Sequence, residues 1–544
     1  MQGLMMNTPL LISSLMKFAD VNYPDREIVS LTVDNPQQRY TYREAFVRTR
    51  KLANALQRLG VKTGDRVGTL AWNDHRHLEL YYALSGSGIV CHTINPRLYP
   101  EQVAYIVSHA EDRYLFVDPL IMPLVEKLGK HFESVEGIVV MTDEAHMPAT
   151  ELDNVICYET LIADESDEFD WPIFDENTAS SLCYTSGTTG NPKGVLYSHR
   201  SAVLHAYAGC MPDVMSFSGN DCVLMVVPMF HVNGWGIPYS AIMVGAKMVM
   251  PGPKMADGEA LHSFIDKEKV TVASGVPTIW LALLDYLETS GNTIPSVSRV
   301  SVGGAACPRS IVEDFDKKYG IMVHQGWGMT ETSPLGTIFK IKGDMGELSQ
   351  EERYNLQVKQ GCGVFGIEMC ITDENNQSLP WDGVAFGTLK VRGAWVASNY
   401  FGLEDADSPL DENGWFDTGD VATIDPNGVM QITDRTKDVI KSGGEWISTI
   451  ELENAAVDHP KVAEAAVIGR YHPKWTERPL LIVVTKDGEE VAKDEILGWF
   501  DDRVATWWKP NDVVFIDELP HTATGKLNKL ALRDQFEDYQ FPDA

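Results

Sequence analysis

An α/β fold, with a large N-terminal domain of βαβ-type units and a small α+β C-terminal domain, is predicted by three features of this chain. Strand and helix patterns alternate from Gln38 to about Val139, a charged and glycine-flanked stretch runs from Asp434 to Trp446, and short strands and helices fill the hundred or so residues after it. Such alternation argues for parallel βαβ units, and the charged stretch sets the expected boundary between residues 1–434 and 435–544. At 544 residues the chain exceeds a single hydrophobic core, and the ~150-residue prior suggests about three or four units.

Taken in order, Thr8-Pro9 followed by Leu11, Ser14, Leu15 and Phe18 reads as a capped amphipathic helix, with no basic segment before it that would make it a signal peptide. Tyr40 to Glu44 opens a helix running to Arg58, Arg66 to Leu70 is a buried strand, Leu78 to Gly86 is helical, and Ile89 to Ile94 and Tyr114 to Val117 are strands. Residues Thr142 to Asn177 are acidic and irregular, a connecting arm. Beyond it Ser201 to Met211 is helical and Val223 to Val227 a strand. In the last part Ala465 to Ile468, Leu480 to Thr485 and Val513 to Ile516 are strand-like and Lys493 to Val504 helical.

The composition, 44% hydrophobic and 22% charged, is that of an ordinary globular protein. A net charge of −32 predicts a surface that repels nucleic acid and anionic lipid, so an anionic nucleotide must be held by local basic and backbone groups. The eight cysteines are scattered without a C-x-x-C pair, which points to neither a zinc cage nor a disulfide framework and fits a reducing cytoplasm. No apolar run approaches the ~18 residues a membrane helix requires, so membrane insertion is not expected.

The stretch that carries the chemistry is Tyr184 to Val195, YTSGTTGNPKGV, whose glycines, hydroxyls and single lysine lie between two apolar runs. Backbone N–H groups and hydroxyls in such a string can close on a phosphate chain. It is not a Walker A loop, because Pro192 precedes Lys193 and Gly194 follows it. Further on, Val223 to Val227 leads into Pro228-Met229-Phe230-His231-Val232-Asn233-Gly234-Trp235-Gly236. Val300 to Ala306 and His324 to Thr332 each place small residues after a strand, where backbone can approach a flat ligand closely. Asn413 to Asp420 ends in a carboxylate suited to accepting two hydrogen bonds from ribose hydroxyls. Ser448-Thr449-Ile450-Glu451 supplies a capping box for the helix after the charged stretch.

Together, in this order and over nearly the full length, these motifs resemble those of the adenylate-forming superfamily of acyl-CoA synthetases, luciferases and peptide-synthetase adenylation domains. The resemblance implies that Thr185, Ser186, Gly187, Thr188, Thr189 and Lys193 hold the triphosphate of ATP, that Gly303, Gly304 and Ala305 with His324, Gln325 and Gly326 border adenine, and that Trp327 stacks on it where most relatives carry tyrosine. Thr330 is then placed on the α-phosphate, Glu331 with Thr185 on Mg²⁺, and Asp420 and Arg435 on ribose. His231 lies at the active site and Trp235 lines the acyl pocket. Lys437 becomes the hinge of a mobile C-terminal domain, and Lys526, after a Thr-Gly turn, the catalytic lysine. Lys441, Ser442, Gly443 and Gly444 resemble the segment that forms the pantetheine tunnel of CoA ligases.

The implied reaction joins two anions, carboxylate and triphosphate, and then passes the acyl group to a second nucleophile. Coenzyme A is the expected acceptor, because the chain stops soon after Lys526 without a carrier domain. The alternatives are an adenylation enzyme serving a separate carrier protein or oxygen and a non-catalytic nucleotide-binding regulator. The pocket-side strings look most like those of medium-chain acyl-CoA ligases of marine bacteria. That likeness implies a short or medium-chain acid, 3-methylmercaptopropionate first, and a general medium-chain fatty acid next. Dimers are common in the superfamily, so a homodimer is also expected.

Overall fold

The computed structural model describes residues 1, 3–185, 191–403, 408–442, 445–486, 488–501, 503–521 and 527–542. By its contacts the chain falls into two units, one of Met1–Thr185, Asn191–Glu368 and Arg392–Pro409, the other of Met369–Val391 and Leu410–Ala544. The boundary expected at 434/435 falls inside the second unit.

Two largely parallel sheets build the first unit. A seven-stranded sheet runs Val155–Cys157, Gly137–Val140, Tyr114–Val117, Arg66–Leu70, Val90–Thr93, Ala179–Tyr184 and Gly194–Ser198, with only the last pair antiparallel. Every residue of Tyr114–Val117 and of Gly137–Val140 is buried, as expected for strands covered on both faces. In the nine-stranded sheet the parallel centre is Met322–Trp327, Arg299–Val302, Val272–Gly275, Cys222–Met225, Lys247–Met250 and Glu27–Ser30. The strands expected in this unit are all present. The arm at Thr142 to Asn177 is a correction, since it carries the edge strand Val155–Cys157 and the helix Tyr158–Ala163. A three-residue strand has too short an alternation to be read from the chain.

The helix His75–Gly86 is buried at all twelve positions, including Arg76, His77 and Glu79. It is anchored to elements of both sheets. His75 Nδ1 lies 2.9 Å from Ser30 Oγ, Tyr81 donates to the Met229 carbonyl, and Ser85 Oγ donates to the Ser180 carbonyl at 3.1 Å. Its charges are all matched: Arg76 pairs with Asp34 at 2.6 Å and Glu159 at 2.7 Å, and Arg48 pairs with Glu79 at 2.7 Å. Burial opposes ionisation of Asp34, but the Arg76 guanidinium overcomes it and holds the carboxyl at about 2. A buried charge left unpaired would be far more costly than these paired ones.

The first helix departs from expectation. It spans Ile12–Asn22 with no side-chain cap at Leu11, and its buried face is Ile12, Leu15, Met16 and Ala19. Phe18, expected on that face, is 48% exposed. Among the described residues no helix is long and apolar enough to cross a membrane.

The second unit holds a sheet of Ile367–Thr372, Phe386–Gly393, Phe416–Ile424 and Met430–Arg435, and a five-stranded sheet whose long hairpin is Val462–His472 with Thr476–Thr485. Ser448 caps the helix Thr449–Val457 by accepting from the Glu451 N–H, one of the two bonds of the capping box that the sequence predicts. The helix expected over Lys493 to Val504 stops at Trp499. A buried polar cluster joins these parts: Thr449 donates through N and Oγ1 to Asp434 Oδ2, both at 2.7 Å, and Lys529 Nζ lies 2.7 Å from Glu453 Oε1.

Candidate active site

In the first unit the string from Thr185 to Lys193, expected to hold phosphate, is closed at its neck by its own ends. Strands Ala179–Tyr184 and Gly194–Ser198 are antiparallel neighbours, Thr185 N donates to the Lys193 carbonyl at 2.9 Å, and Lys193 N donates to Thr185 Oγ1 at 3.1 Å. Ser186, Gly187, Thr188 and Thr189 lie outside the described residues. Thr185 and Lys193 are therefore brought together by sheet pairing, before any ligand is considered.

The segment bearing His231 and Trp235 is held by a residue the sequence reading did not single out. Asn73 Nδ2 donates to the carbonyls of Met225 and Val227, both at 2.7 Å, and its Oδ1 accepts from Met229 N at 2.7 Å. From there the backbone turns left-handed over five consecutive residues, with φ of 45° at Val232, 51° at Asn233, 57° at Gly234, 56° at Trp235 and 69° at Gly236. Each non-glycine residue there costs about 1–2 kcal/mol, so the turn must be over-determined by its surroundings. Asn233 Nδ2 donates to Ser181 Oγ at 2.8 Å, Gly234 N donates to the His231 carbonyl at 3.1 Å, and the Trp235 indole lies against Gly303, where a Cβ would come within 2.9 Å of its Cη2.

At Gly236 a Cβ would meet His205 Nδ1 at 2.5 Å. His205, Asn233, Gly236, Tyr239 and Ser333 line a small cavity open to a water-sized sphere over about 10 Å³, room for about one water molecule. His205 Nε2 is buried without a hydrogen-bond partner among the described residues, and burial pushes its imidazole down to about 4, so it is neutral. Gly236→Ala is expected to destabilise the protein by about 1–3 kcal/mol through the left-handed φ alone, with more from the contact with His205. Urea denaturation would measure the loss, and stability equal to wild type would mean that this turn is not rigid.

The segments expected to border adenine take part in the protein's own bonding. Gly303 N donates to the Gly275 carbonyl at 3.3 Å, and Gly304 has a φ of 77°. His324 Nδ1 lies 3.2 Å from the Phe339 carbonyl, with Lys340 Nζ 3.4 Å from its Nε2. Burial first, and then the Lys340 charge, lower His324 to about 4. Gln325 Oε1 accepts from Cys307 N at 3.2 Å. Gly326 and Trp327 pair with Ile338 and Thr337, and the Trp327 ring lies against Gly336.

Thr330 and Glu331 sit in a buried 3₁₀ turn, Thr330–Thr332. Tyr197 Oη donates to the Thr330 carbonyl at 2.7 Å, and Tyr400 Oη donates to Glu331 Oε1 at 2.7 Å. Glu331 is only 5% exposed, so this carboxylate has little water to solvate it. Tyr400 was not anticipated from the sequence, because an aromatic followed by Phe401 in a loop reads as packing, and only its closeness to Glu331 sets it apart.

In the second unit Asp420 and Arg435 face each other across neighbouring strands, with Arg435 Nε 2.9 Å from Asp420 Oδ1. Asp420 is 2% exposed, inside a strand and not at the end of the turn. Lys441 N donates to Glu477 Oε2 at 2.9 Å and Arg478 donates to Ser442 Oγ at 3.2 Å. Lys437 lies in the turn after Arg435, where Asp438 N and Val439 N both donate to the Arg435 carbonyl at 2.9 Å. Gly443, Gly444 and Lys526 lie outside the described residues.

With that geometry in place, the chain can be set beside known proteins. The model of the AMP-binding enzyme family matches residues 18–401, and that of the AMP-binding enzyme C-terminal domain matches residues 451–526. The chain is 51% identical, over 99% of each sequence, to a 3-methylmercaptopropionyl-CoA ligase of Ruegeria lacuscaerulensis. It is 47% identical to a medium-chain-fatty-acid–CoA ligase of Ectopseudomonas oleovorans, over 99% of this chain and 98% of that one. The crystal structure of the anthranilate CoA ligase AuaEII in complex with anthranoyl-AMP superposes with a TM-score of 0.85 over 98% of each chain, a likeness of fold at 23% identity.

Proposed function

The chain belongs to the AMP-binding enzyme family, and we propose that the acid it joins to coenzyme A is 3-methylmercaptopropionate. The activity itself is that of an AMP-forming acyl-CoA synthetase, an ATP-dependent ligation of a carboxylic acid to coenzyme A. A carboxylate oxygen attacks the α-phosphorus, the bond to pyrophosphate breaks, and acyl-AMP forms. The thiol of coenzyme A then loses its proton, its sulfur attacks the acyl carbonyl, and AMP leaves.

Within that reaction the phosphate loop from Thr185 through Lys193 takes the triphosphate, Thr330 meets the α-phosphate, and Asp420 with Arg435 holds the ribose. Gly303, Gly304 and Ala305 with the strand His324 to Trp327 border adenine, and His231 stands beside the reacting carboxylate. Lys526 bridges that carboxylate and the α-phosphate, and Lys441 to Gly444 guide the pantetheine arm. A magnesium ion suits the donor set of a buried Glu331 carboxylate and the Thr185 hydroxyl, since a hard cation takes oxygen ligands and is usually held by one or two carboxylates plus phosphate. When bound it supplies positive charge that offsets the phosphates.

The observation that carries the choice of a short acid is Trp235. Its indole occupies the space over Gly303, where a bulky ring shortens whatever chain can lie beside it. A thioether beside an indole gains roughly 0.3–1.5 kcal/mol from sulfur–aromatic contact, which favours 3-methylmercaptopropionate over pentanoate of the same length. The relative at 51% identity bears the name of that ligase. The relative at 47% is named for medium-chain fatty acids, which makes those acids the second reading.

A ligation panel from acetate to palmitate, with 3-methylmercaptopropionate beside pentanoate, tests the choice. A kcat/KM for hexanoate or octanoate above that for 3-methylmercaptopropionate would favour the second reading. Trp235→Ala is expected to extend the accepted chain gradually, because each methylene is worth only about 1–3 kcal/mol in discrimination, and to erase the preference over pentanoate. A chain-length profile identical to wild type would place Trp235 outside the pocket.

A further inference from the structure

We propose that Tyr400 is a positioning residue for adenylate formation, setting the orientation of the Glu331 carboxylate and tying it to the phosphate loop. The inference rests on the reading of Glu331 as the magnesium-holding carboxylate. Tyr400 ends a strap that is joined to residues 331–335 by three hydrogen bonds before reaching the strand that follows Lys193. Trp395 Nε1 donates to the Leu335 carbonyl and Ser333 Oγ to the Trp395 carbonyl, both at 2.8 Å. Ala397 N donates to the Glu331 carbonyl at 2.8 Å, and Phe401 N donates to the Gly194 carbonyl at 2.8 Å. Between the last two anchors the Tyr400 side chain touches both sides, its hydroxyl 2.7 Å from Glu331 Oε1 and its ring centroid 4.7 Å from Lys193 Nζ.

The chemistry of this contact is directional. A phenol is protonated at neutral pH and an ionised carboxylate can only accept, so the Tyr400 hydroxyl donates to Glu331 Oε1. A buried carboxylate held through one oxygen by a half-buried donor cannot swing freely about its last torsion, and its orientation is set before the ion and ATP arrive. The same ring offers its face to the Lys193 ammonium, an attraction that persists if only the hydroxyl is lost. Tyr400→Phe therefore isolates the hydroxyl's effect on Glu331 from the ring's effect on Lys193.

Such partners of a metal-holding side chain typically alter metal affinity or activity by about 10–100-fold when removed. Tyr400→Phe is expected to raise the Mg²⁺ concentration for half-maximal acid-dependent ATP–pyrophosphate exchange by roughly 10-fold, with the KM for the acid unchanged and thermal melting as in wild type. Calorimetric titration of ATP without acid gives a second readout, in which Mg²⁺ should tighten ATP binding less in Tyr400→Phe than in wild type. Glu331→Gln should shift both readouts further, and Tyr400→Phe added to it should cost nothing more. If Glu331→Gln moves the Mg²⁺ dependence and Tyr400→Phe does not, the positioning role is overturned while Glu331 keeps its own. The role is equally overturned if the two losses multiply in the double variant. If Glu331→Gln leaves both titrations unchanged, the magnesium reading fails and the inference falls with it.

Discussion

Lys526→Ala is expected to lower acyl-adenylate formation by about 10²–10³-fold, the usual effect of removing one electrostatic contact at a reacting centre, while thioester formation from supplied acyl-AMP and coenzyme A continues. Two anions must meet in the first step, and a protein of net charge −32 contributes a long-range field of the wrong sign, so the local ammonium is needed most there. In the second step the acyl group is already activated and the incoming group is a thiol, so the lysine has no anion pair to bridge. Pyrophosphate release measured against thioester formation separates the two. A variant with wild-type pyrophosphate release would remove Lys526 from the mechanism.

Lys437→Pro is expected to show the opposite pattern, forming acyl-AMP from acid and ATP but failing to convert supplied acyl-AMP and coenzyme A into thioester. A single rigid site cannot hold Lys526 against the carboxylate and α-phosphate and also admit a thiol to the same carbonyl. The reading of Lys437 as a hinge assigns the change of arrangement to this position, and proline locks φ near −65° and restricts the residue before it. The turn is bracketed by two anchors within the second unit. Asp434 accepts from Thr449 N and Oγ1 at 2.7 Å, and Asp438 Oδ1 lies 2.5 Å from Arg533 Nη1. A rotation of the part beyond Lys437 must give up the Asp434 bonds while the Asp438–Arg533 pair moves with that part, which leaves the dihedral change to the few residues before Asp438. Equal loss of both half-reactions, with a lowered melting temperature, would mean that proline had only distorted the turn that Asp438 N and Val439 N close on the Arg435 carbonyl.

The strands Arg66–Leu70 and Tyr114–Val117 lie where the sequence predicts them, because each is a run whose periodicity is complete within itself, and the helix to Arg58 starts two residues later than expected, at Tyr42, after the strand Gln38–Thr41. The arm at Thr142 to Asn177 was misread for the complementary reason. Val155–Cys157 is too short to show a period, and it is a strand because Gly137–Val140 offers it an edge. Phe18 was misplaced because a helix without a side-chain cap can begin a residue or two to either side, and each such shift turns its apolar face.

The site divides along the same line. The strings Tyr184 to Val195, His324 to Thr332 and Asn413 to Asp420 are each contiguous, so their residue types, order and spacing are written in the chain and point to an adenylate-forming ligase before any coordinate is known. Tyr400 and Glu331 are 69 residues apart, Trp235 and Gly303 meet from separate loops, and Asn73 holds the His231 segment from the end of a different strand. None of these pairings has a local signature. Each exists only because the parallel sheets bring distant strand ends to one edge, and which side chains then face each other depends on register and on the left-handed turn at Val232 to Gly236. Local spacing encodes the chemistry, whereas the orientation of each group is a property of packing, in which a donor such as Tyr400 acquires its role from the neighbour it is buried against.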